Sequence, residues 1–243
     1  GNFIQVFQDD IFWKSLGNTV YYTFLGVPIY LVGSLVAALL LNMKSKGMAI
    51  YRTIYFVPSL TPAVANALLW MWIFNPDFGL ANAFLGKIGV APQKWLFDAQ
   101  LAKGCFIFMG LWGIGQQMVT FLAGLQGIPI ELYEAASIDG ASNQRRFWAI
   151  TLPMISPTIL FNLVIGIIGS FQVFTTAFIA TNGGPQNATL FYVLYLYRNG
   201  FEYFKMGYAS ALAWVLFIIV LIFTLIQFKL ADRLVYYEMG EAA

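Results

Sequence analysis

Acidic and turn-forming residues in one segment, 128–153, offer the most specific chemistry in this sequence. Glu131 and Glu134 stand where the positive N-terminal end of a short helix would favour acidic side chains. Gly140 suits a left-handed helix stop, and Ser142 suits the N-cap of a second helix. The pattern predicts a compact helix–turn–helix whose mixture of acidic and apolar side chains suits the docking of another protein.

Residues for acid–base, metal or nucleotide chemistry are scarce. The chain has no histidine and one cysteine, Cys105, which excludes a histidine-dependent hydrolase or metalloprotease and leaves no internal disulfide or metal pattern. Gly86 and Lys87 are followed by Ile88, so the phosphate loop of ATPases is missing. No Lys/Arg-rich run suggests nucleic acid. We therefore predict no catalytic residue, no metal site, no cofactor and no nucleic-acid partner.

Long uncharged stretches predict a membrane protein. The chain is 60% hydrophobic and 10% charged, whereas soluble domains carry about 25% charged residues. A helix needs about 20 apolar residues to cross the hydrocarbon, and backbone groups in lipid must be paired internally. The fold class is therefore an all-α membrane protein. Five spans are predicted, at 17–41, 53–74, 104–126, 153–180 and 207–229.

The long apolar stretch after the fourth span contains a turn signal at residues 182–187. The apolar piece that follows, 189–197, is too short to cross a bilayer. We expect it to be an interfacial or re-entrant helix.

An odd number of spans puts the two chain ends on opposite sides. With the C-terminus in the cytoplasm, seven basic residues face inward: Lys44, Lys46, Arg52, Arg145, Arg146, Lys229 and Arg233. Six face outward: Lys14, Lys87, Lys94, Lys103, Arg198 and Lys205. The positive-inside rule therefore favours this orientation by one residue, helped by the density of charge in the 42–52 loop.

Seven residues of segment 128–153 stand at a specific spacing. The pattern is Glu-Ala-Ala, three residues, Gly, nine residues, Ile, one residue and Leu-Pro. This chain has it in full, at Glu134, Ala135, Ala136, Gly140, Ile150, Leu152 and Pro153. This pattern resembles the signature of binding-protein-dependent ABC importer permeases. Stretches 12–19, 75–82 and 182–185 resemble the sugar, maltose-type branch of that family, so the resemblance covers nearly the whole chain.

The resemblance implies the architecture and the membrane. Residues 1–243 would form a single transmembrane domain, with five of the six helices of a type I permease core and a cytoplasmic coupling helix near 130–139. The first helix of the core would precede residue 1. The protein would lie in a bacterial or archaeal cytoplasmic membrane as a multi-pass protein with a cytoplasmic C-terminus.

The resemblance also implies a function: half of the translocation pathway of an ATP-driven carbohydrate importer. The expected partners are a second permease subunit, expected to be a different chain, two ATPase subunits, an extracytoplasmic solute-binding protein, the lipid bilayer and a small sugar. Because this chain lacks a phosphate loop, ATP must be bound by a partner, so the chain is a transport subunit and not an enzyme. Contacts with the ATPase are expected from Glu131, Tyr133, Glu134, Ala135, Ala136, Asp139 and Gly140.

Small and polar residues inside the spans predict the solute path, because polar groups are costly in lipid. Ser59, Ala63 and Asn66 recur on one helix face, and the resemblance to maltose-type permeases implies sugar contacts at about these positions, around Trp112 and midway along the fourth span. The predicted path comprises Ser59, Ala63, Asn66, Gly110, Trp112, Gly113, Gln116, Gln117, Gly166, Gly169, Ser170 and Val173. Helix packing is the alternative role for the glycines.

Four of these polar side chains are expected to face a water-filled cavity, because nothing else in their spans would form hydrogen bonds with them: Ser59, Asn66, Gln117 and Ser170.

Two other classes of membrane protein lack support in the sequence. A secondary transporter is expected to have internal repeats and acidic residues within its spans, and a membrane enzyme would need a catalytic cluster; the sequence has none of these. An ABC permease for phosphate, amino acids or peptides remains open, because those importers share the signature in 128–153.

Overall fold

The computed structural model describes residues 1–43 and 45–234, with side chains up to Ala231 in the last helix. Every regular element in these ranges is helical, so the predicted all-α fold is confirmed. Of the residues used to predict topology, Lys44 and the side chain of Arg233 lie outside the described part, as does the predicted cytoplasmic tail from residue 235 onward.

The helices follow one another with short connections. The first nine are α1 (Asn2–Gln8), α2 (Asp10–Leu41), α3 (Met48–Phe56), α4 (Ala63–Ile73), α5 (Leu80–Lys87), α6 (Ala102–Trp112), α7 (Gly115–Gln126), α8 (Ile130–Ile138) and α9 (Asn143–Arg146). The last five are α10 (Leu152–Met154), α11 (Ser156–Phe171), α12 (Thr175–Ala180), α13 (Tyr192–Tyr197) and α14 (Met206–Leu234). Short 3₁₀ turns occupy Val57–Leu60 and Trp95–Phe97, and π turns occupy Phe147–Thr151 and Arg198–Glu202.

Within the described residues, three helical stretches are long and apolar enough to cross a membrane by themselves, namely Asp10–Leu41, Ser156–Ala180 and Met206–Ala231. Two further candidates are helix pairs with a bend at a short break, α3 with α4 and α6 with α7. Counting each pair as one span gives the five predicted spans. At the first break, a 3₁₀ turn that contains Pro58 precedes Pro62, which caps α4 and has no backbone N–H to continue a helix.

Contacts group the chain into two units. Unit 1 comprises residues 1–27, 60–112 and 167–221, and unit 2 comprises 28–59, 113–166 and, as far as described, 222–234. The assignment of residues 1–243 to one transmembrane domain stays a prediction.

Unit 1 is built around large buried aromatic and aliphatic side chains, among them Phe12, Phe106, Tyr192 and Leu212. The Tyr192 hydroxyl donates a hydrogen bond to the Leu212 carbonyl at 2.8 Å, and its backbone N–H donates to Thr19 Oγ1 at 2.9 Å. These bonds pair polar groups that burial would otherwise leave unsatisfied. They tie α13 to α2 and α14 inside the same unit.

The segment 182–187 is a turn, as predicted. Asn182, Gly183, Gln186 and Asn187 all have positive φ angles. A Cβ at Gly183 would come within 3.2 Å of Leu190 Cδ1, so the turn is also closely packed. The short apolar piece that follows contains α13, in which Tyr192, Leu194 and Tyr195 are buried within unit 1 and the other three side chains are half-buried.

Unit 2 has a core where α2 meets α7, built from Ala37, Ala38 and Leu41 against Met118, Phe121, Leu122, Leu125 and Ile155. Gly115 lets α7 approach α3 closely, since a Cβ there would lie 2.5 Å from the Tyr55 carbonyl oxygen. Small residues allow such backbone approach between membrane helices. Segment 128–153 follows directly from this core.

Candidate functional site

Helix α8 ends as the sequence predicts. Gly140 has a φ of +71°, and the backbone N–H groups of Gly140 and Ala141 donate to the carbonyls of Ser137 and Ala136 at 3.1 and 2.8 Å. This pair of bonds is a Schellman motif, which requires a left-handed residue after the helix and so favours glycine. The observed helix, Ile130–Ile138, agrees with the predicted range of about 130–139.

Side-chain bonds brace the turn after α8. Ser142 accepts a hydrogen bond from a backbone N–H in the first turn of α9, as predicted for an N-cap. Arg146 Nε donates to the Ala141 carbonyl at 2.9 Å, and the hydroxyls of Tyr133 and Thr151 are 2.9 Å apart. The last contact joins α8 to the π turn before α10, so hydrogen bonds hold the helix–turn–helix together both at its turn and between α8 and the chain that follows α9.

Helix α8 exposes apolar side chains on more than one side. Ile138 is 87% exposed, Ile130 56% and Leu132 39%. Of the predicted ATPase contacts, Tyr133 and Ala136 are half-buried, and the exposed ones are Glu131, Glu134, Ala135, Asp139 and Gly140. A rigid helix that presents isoleucines beside carboxylates has the composition of a docking surface.

Three predicted path residues meet in unit 1. Asn66, Gly110 and Val173 line a small cavity of about 60 Å³. Asn66 Oδ1 is buried and has no hydrogen-bond partner within the described residues. A buried, unpaired amide oxygen is costly, so this atom is the strongest sign of a functional polar position inside unit 1.

The other path residues of unit 1 lie in different settings. Ala63 and Gly169 are exposed, and Trp112 is partly exposed, with its ring edge-on to Trp70. Ser170 is 7% exposed, and its hydroxyl lies 2.9 Å from Thr23 Oγ1 and 2.8 Å from the Ile167 carbonyl. The expectation that nothing pairs Ser170 is therefore wrong, because α2 supplies a hydroxyl partner.

The remaining five predicted path residues belong to unit 2. Ser59 donates to the Phe56 carbonyl at 2.6 Å, so the expectation that it lacks a partner is also wrong. Gln117 Oε1 is buried without a partner within the described residues, as expected for an unpaired polar group. Gly113 and Gln116 are exposed and Gly166 is half-buried. The path role of all twelve residues remains a prediction.

One polar cluster was missed by sequence reasoning. Asp9 Oδ2 accepts hydrogen bonds from the hydroxyls of Tyr195 and Tyr208, the second at 2.7 Å, while Oδ1 accepts from the Ile11 N–H at 2.8 Å. Partial burial raises the pKa of Asp9, but these bonds outweigh it and hold the pKa below its usual value. The tyrosines stand 186 and 199 residues from Asp9, so no local pattern connects them.

Comparisons with known proteins agree with this geometry. The sequence pattern of the family described as "Binding-protein-dependent transport system inner membrane component" matches residues 13–236. The probable ABC transporter permease protein YesP of Bacillus subtilis is 45% identical over 246 residues, covering 99% of this chain and 79% of its own. The arabinooligosaccharides transport system permease protein AraP of the same organism is 37% identical, covering 90% and 72%.

A solved structure is also similar. A chain of the bacterial alginate ABC transporter, crystallised with its alginate pentasaccharide-bound periplasmic protein, superposes with a TM-score of 0.88 at 26% identity, covering 95% of this chain and 82% of that one. Members of the matching family are membrane components of transport systems, which confirms the prediction of a transport subunit. The chain belongs to the family of binding-protein-dependent transport system inner membrane components, and it is a multi-pass inner-membrane protein.

Proposed function

We propose that this chain is a permease subunit of an ATP-driven carbohydrate importer and forms half of its translocation pathway. Support for a sugar comes from the relatives: AraP is named for arabinooligosaccharides, and the structurally similar transporter carries alginate. Neither relative favours the alternative of a phosphate, amino-acid or peptide importer. Residues 1–243 then act as one transmembrane domain.

The observation that carries the proposal is the braced, exposed helix α8. None of its residues is buried within the described chain, and Ile138 is 87% exposed. A short exposed helix that carries isoleucines beside carboxylates, held in a braced helix–turn–helix, suits insertion into a cleft of another protein. We assign that cleft to an ATPase subunit, because this chain has no phosphate loop of its own.

The remaining partners follow from the same assignment. A second permease subunit, proposed to be a different chain, completes the pore; two ATPase subunits bind on the cytoplasmic side; and a solute-binding protein delivers the sugar from outside. This arrangement puts segment 128–152 and the C-terminus in the cytoplasm. Closure of the ATPases on ATP then moves α8 and switches the pore between inward-facing and outward-facing states.

Proximity of α8 to the ATPase tests the assignment. In a Cys105→Ala background, a cysteine at Ile138 should cross-link to an ATPase subunit in the purified complex. A cysteine at Phe204 is the matched control, because that side chain is similarly exposed, at 79%, but lies on a segment predicted to be outside. Cross-linking at Phe204, or none at Ile138, would remove the basis for this coupling surface.

Charge at the same helix provides a functional test. Glu134→Lys should uncouple ATP hydrolysis from uptake, or release the ATPase, while membrane insertion stays normal. Glu134 is exposed, so the substitution leaves the core of unit 2 intact. Normal uptake together with normal co-purification of the ATPase would contradict the proposal.

The identity of the sugar needs a separate measurement, mass spectrometry of the solute bound to the intact complex.

A further inference from the structure

A second site, outside the predicted solute path, lies within unit 1. Its cavity has a volume of about 840 Å³, within the range of about 300–1,000 Å³ found for small-molecule sites. Its walls come from α1 and the chain up to the first turn of α2, the turn near Asn187, and the chain from α13 to the start of α14. The proposed topology puts all three segments on the outer side of the membrane.

One wall of this cavity offers hydrogen-bond acceptors. The hydroxyls of Tyr195 and Tyr208 both donate to Asp9 Oδ2 and their oxygens lie 3.3 Å apart, so each hydroxyl proton already has a partner within the cluster. Each phenolic oxygen therefore presents lone pairs only, and Asp9 Oδ1 keeps further acceptor capacity beyond its bond from the Ile11 N–H. A ligand that meets this wall must donate hydrogen bonds.

Other lining residues supply donors and aromatic surface. Lys205 carries N–H donors, Arg198 keeps donors beyond the two bonds from its Nη2 to Asn182, and Asn2 carries an amide that both donates and accepts. Tyr203 and Phe204 also line the cavity and are 54% and 79% exposed. A wall of acceptors, a set of donors and flat apolar rings together match a molecule whose hydroxyls both donate and accept and whose ring faces are apolar.

The backbone conformation of Phe204 also supports a binding site at this cavity. Its φ is +56°, in the left-handed region that bulky residues rarely adopt. Strained residues of this kind cluster at binding sites, where the surrounding structure holds them. Here the residue in this backbone conformation carries an exposed aromatic ring that lines a polar cavity.

We propose that this cavity is an outer saccharide site, which holds the sugar before it enters the membrane-embedded path. The Asp9–Tyr195–Tyr208 cluster accepts hydrogen bonds from sugar hydroxyls, and Tyr203 and Phe204 pack against the ring. This inference rests on the proposed carbohydrate function, since it assigns a further site for the same class of solute.

Direct binding tests the site in the whole transporter. Saturation-transfer NMR on the complete complex in nanodiscs, without nucleotide or binding protein, reports contact with arabinotriose and with an alginate pentasaccharide. Wild type should bind at least one of them. Asp9→Asn, which weakens the acceptor wall, and Tyr203→Ala, which removes an exposed ring, should each weaken binding about tenfold. Phe201→Ala is the matched control, because Phe201 is an exposed aromatic on the same segment outside the cavity lining, and it should bind like wild type.

Four results separate the alternatives. Equal binding by all variants would put the saccharide elsewhere and overturn the site. A loss of affinity for the binding protein, without a change in direct saccharide binding, would make the cavity a protein contact and also overturn it. Uptake of either sugar into proteoliposomes without direct binding by wild type would refute the outer site while the proposed function stands. Absence of both binding and uptake would count against both.

Discussion

The helix stop at Gly140 allows a controlled test of the coupling surface. Gly140 has a φ of +71°, and a Cβ there would meet nothing within 4 Å, so Gly140→Ala adds backbone strain without a clash. A non-glycine residue in the left-handed conformation costs about 1–2 kcal/mol. That cost shifts the balance between the observed turn and unwound alternatives by about 5- to 30-fold.

The chain contains a matched control for this strain. Gly89 ends α5 with the same Schellman bonds, from Gly89 N–H to the Gly86 carbonyl and from Val90 N–H to the Leu85 carbonyl, at 3.3 and 3.0 Å. Its φ is +77°, and a Cβ there also meets nothing within 4 Å. Gly89→Ala therefore imposes the same backbone strain in the loop between the second and third predicted spans.

Binding of the ATPase to the purified permease, and solute moved per ATP hydrolysed, are the readouts. If the docked state requires the observed turn, Gly140→Ala should lower ATPase affinity by up to the same factor and reduce coupling, whereas Gly89→Ala should leave both near wild type. Equal effects of the two variants would show that general strain, not the coupling surface, is being measured. If Gly140→Ala has the ATPase affinity and the coupling of wild type, docking does not require this turn.

Three further predictions concern topology, the solute path and acid sensitivity. In a Cys105→Ala background, an impermeant thiol reagent on intact cells should label a cysteine at Gln186 and not one at Ser142; the opposite pattern would invert the topology. Asn66→Leu removes a buried amide oxygen without a partner, so thermal stability should hold or rise while uptake falls; unchanged uptake would take Asn66 out of the path. Because the pKa of Asp9 is lowered, its stabilising bonds are fully present above the usual carboxyl range and are lost as pH falls below it. Melting temperature should drop there in wild type and less in Asp9→Asn; parallel acid profiles would contradict this.

Local chemistry explains what could be predicted from sequence. The helix stop at Gly140 and the cap at Ser142 each depend on a few neighbouring residues, so their types and spacing were enough. The spans at 17–41 and 207–229 follow from uninterrupted apolar length, and helices cover both. The signature spacing in 128–153 located the coupling segment for the same reason.

Partners brought together by folding could not be predicted. Ser170 was expected to be unpaired, yet its partner Thr23 is 147 residues away on α2. The Asp9 cluster joins residues from opposite ends of the chain, and each tyrosine alone resembles an ordinary aromatic residue of a membrane protein. Polarity along one helix marks a costly group, but only the tertiary contacts tell whether another helix satisfies it.

Uptake into proteoliposomes tests whether the complete transporter imports a saccharide with ATP and a solute-binding protein. The vesicles hold the complete transporter with ATP on the ATPase side, and the solute-binding protein is added on the other side with labelled arabinotriose, alginate pentasaccharide, inorganic phosphate, an amino acid or a dipeptide. We expect a saccharide to accumulate, and only when both ATP and the binding protein are present. Accumulation of a non-sugar solute alone, or saccharide uptake that continues without ATP, would contradict it.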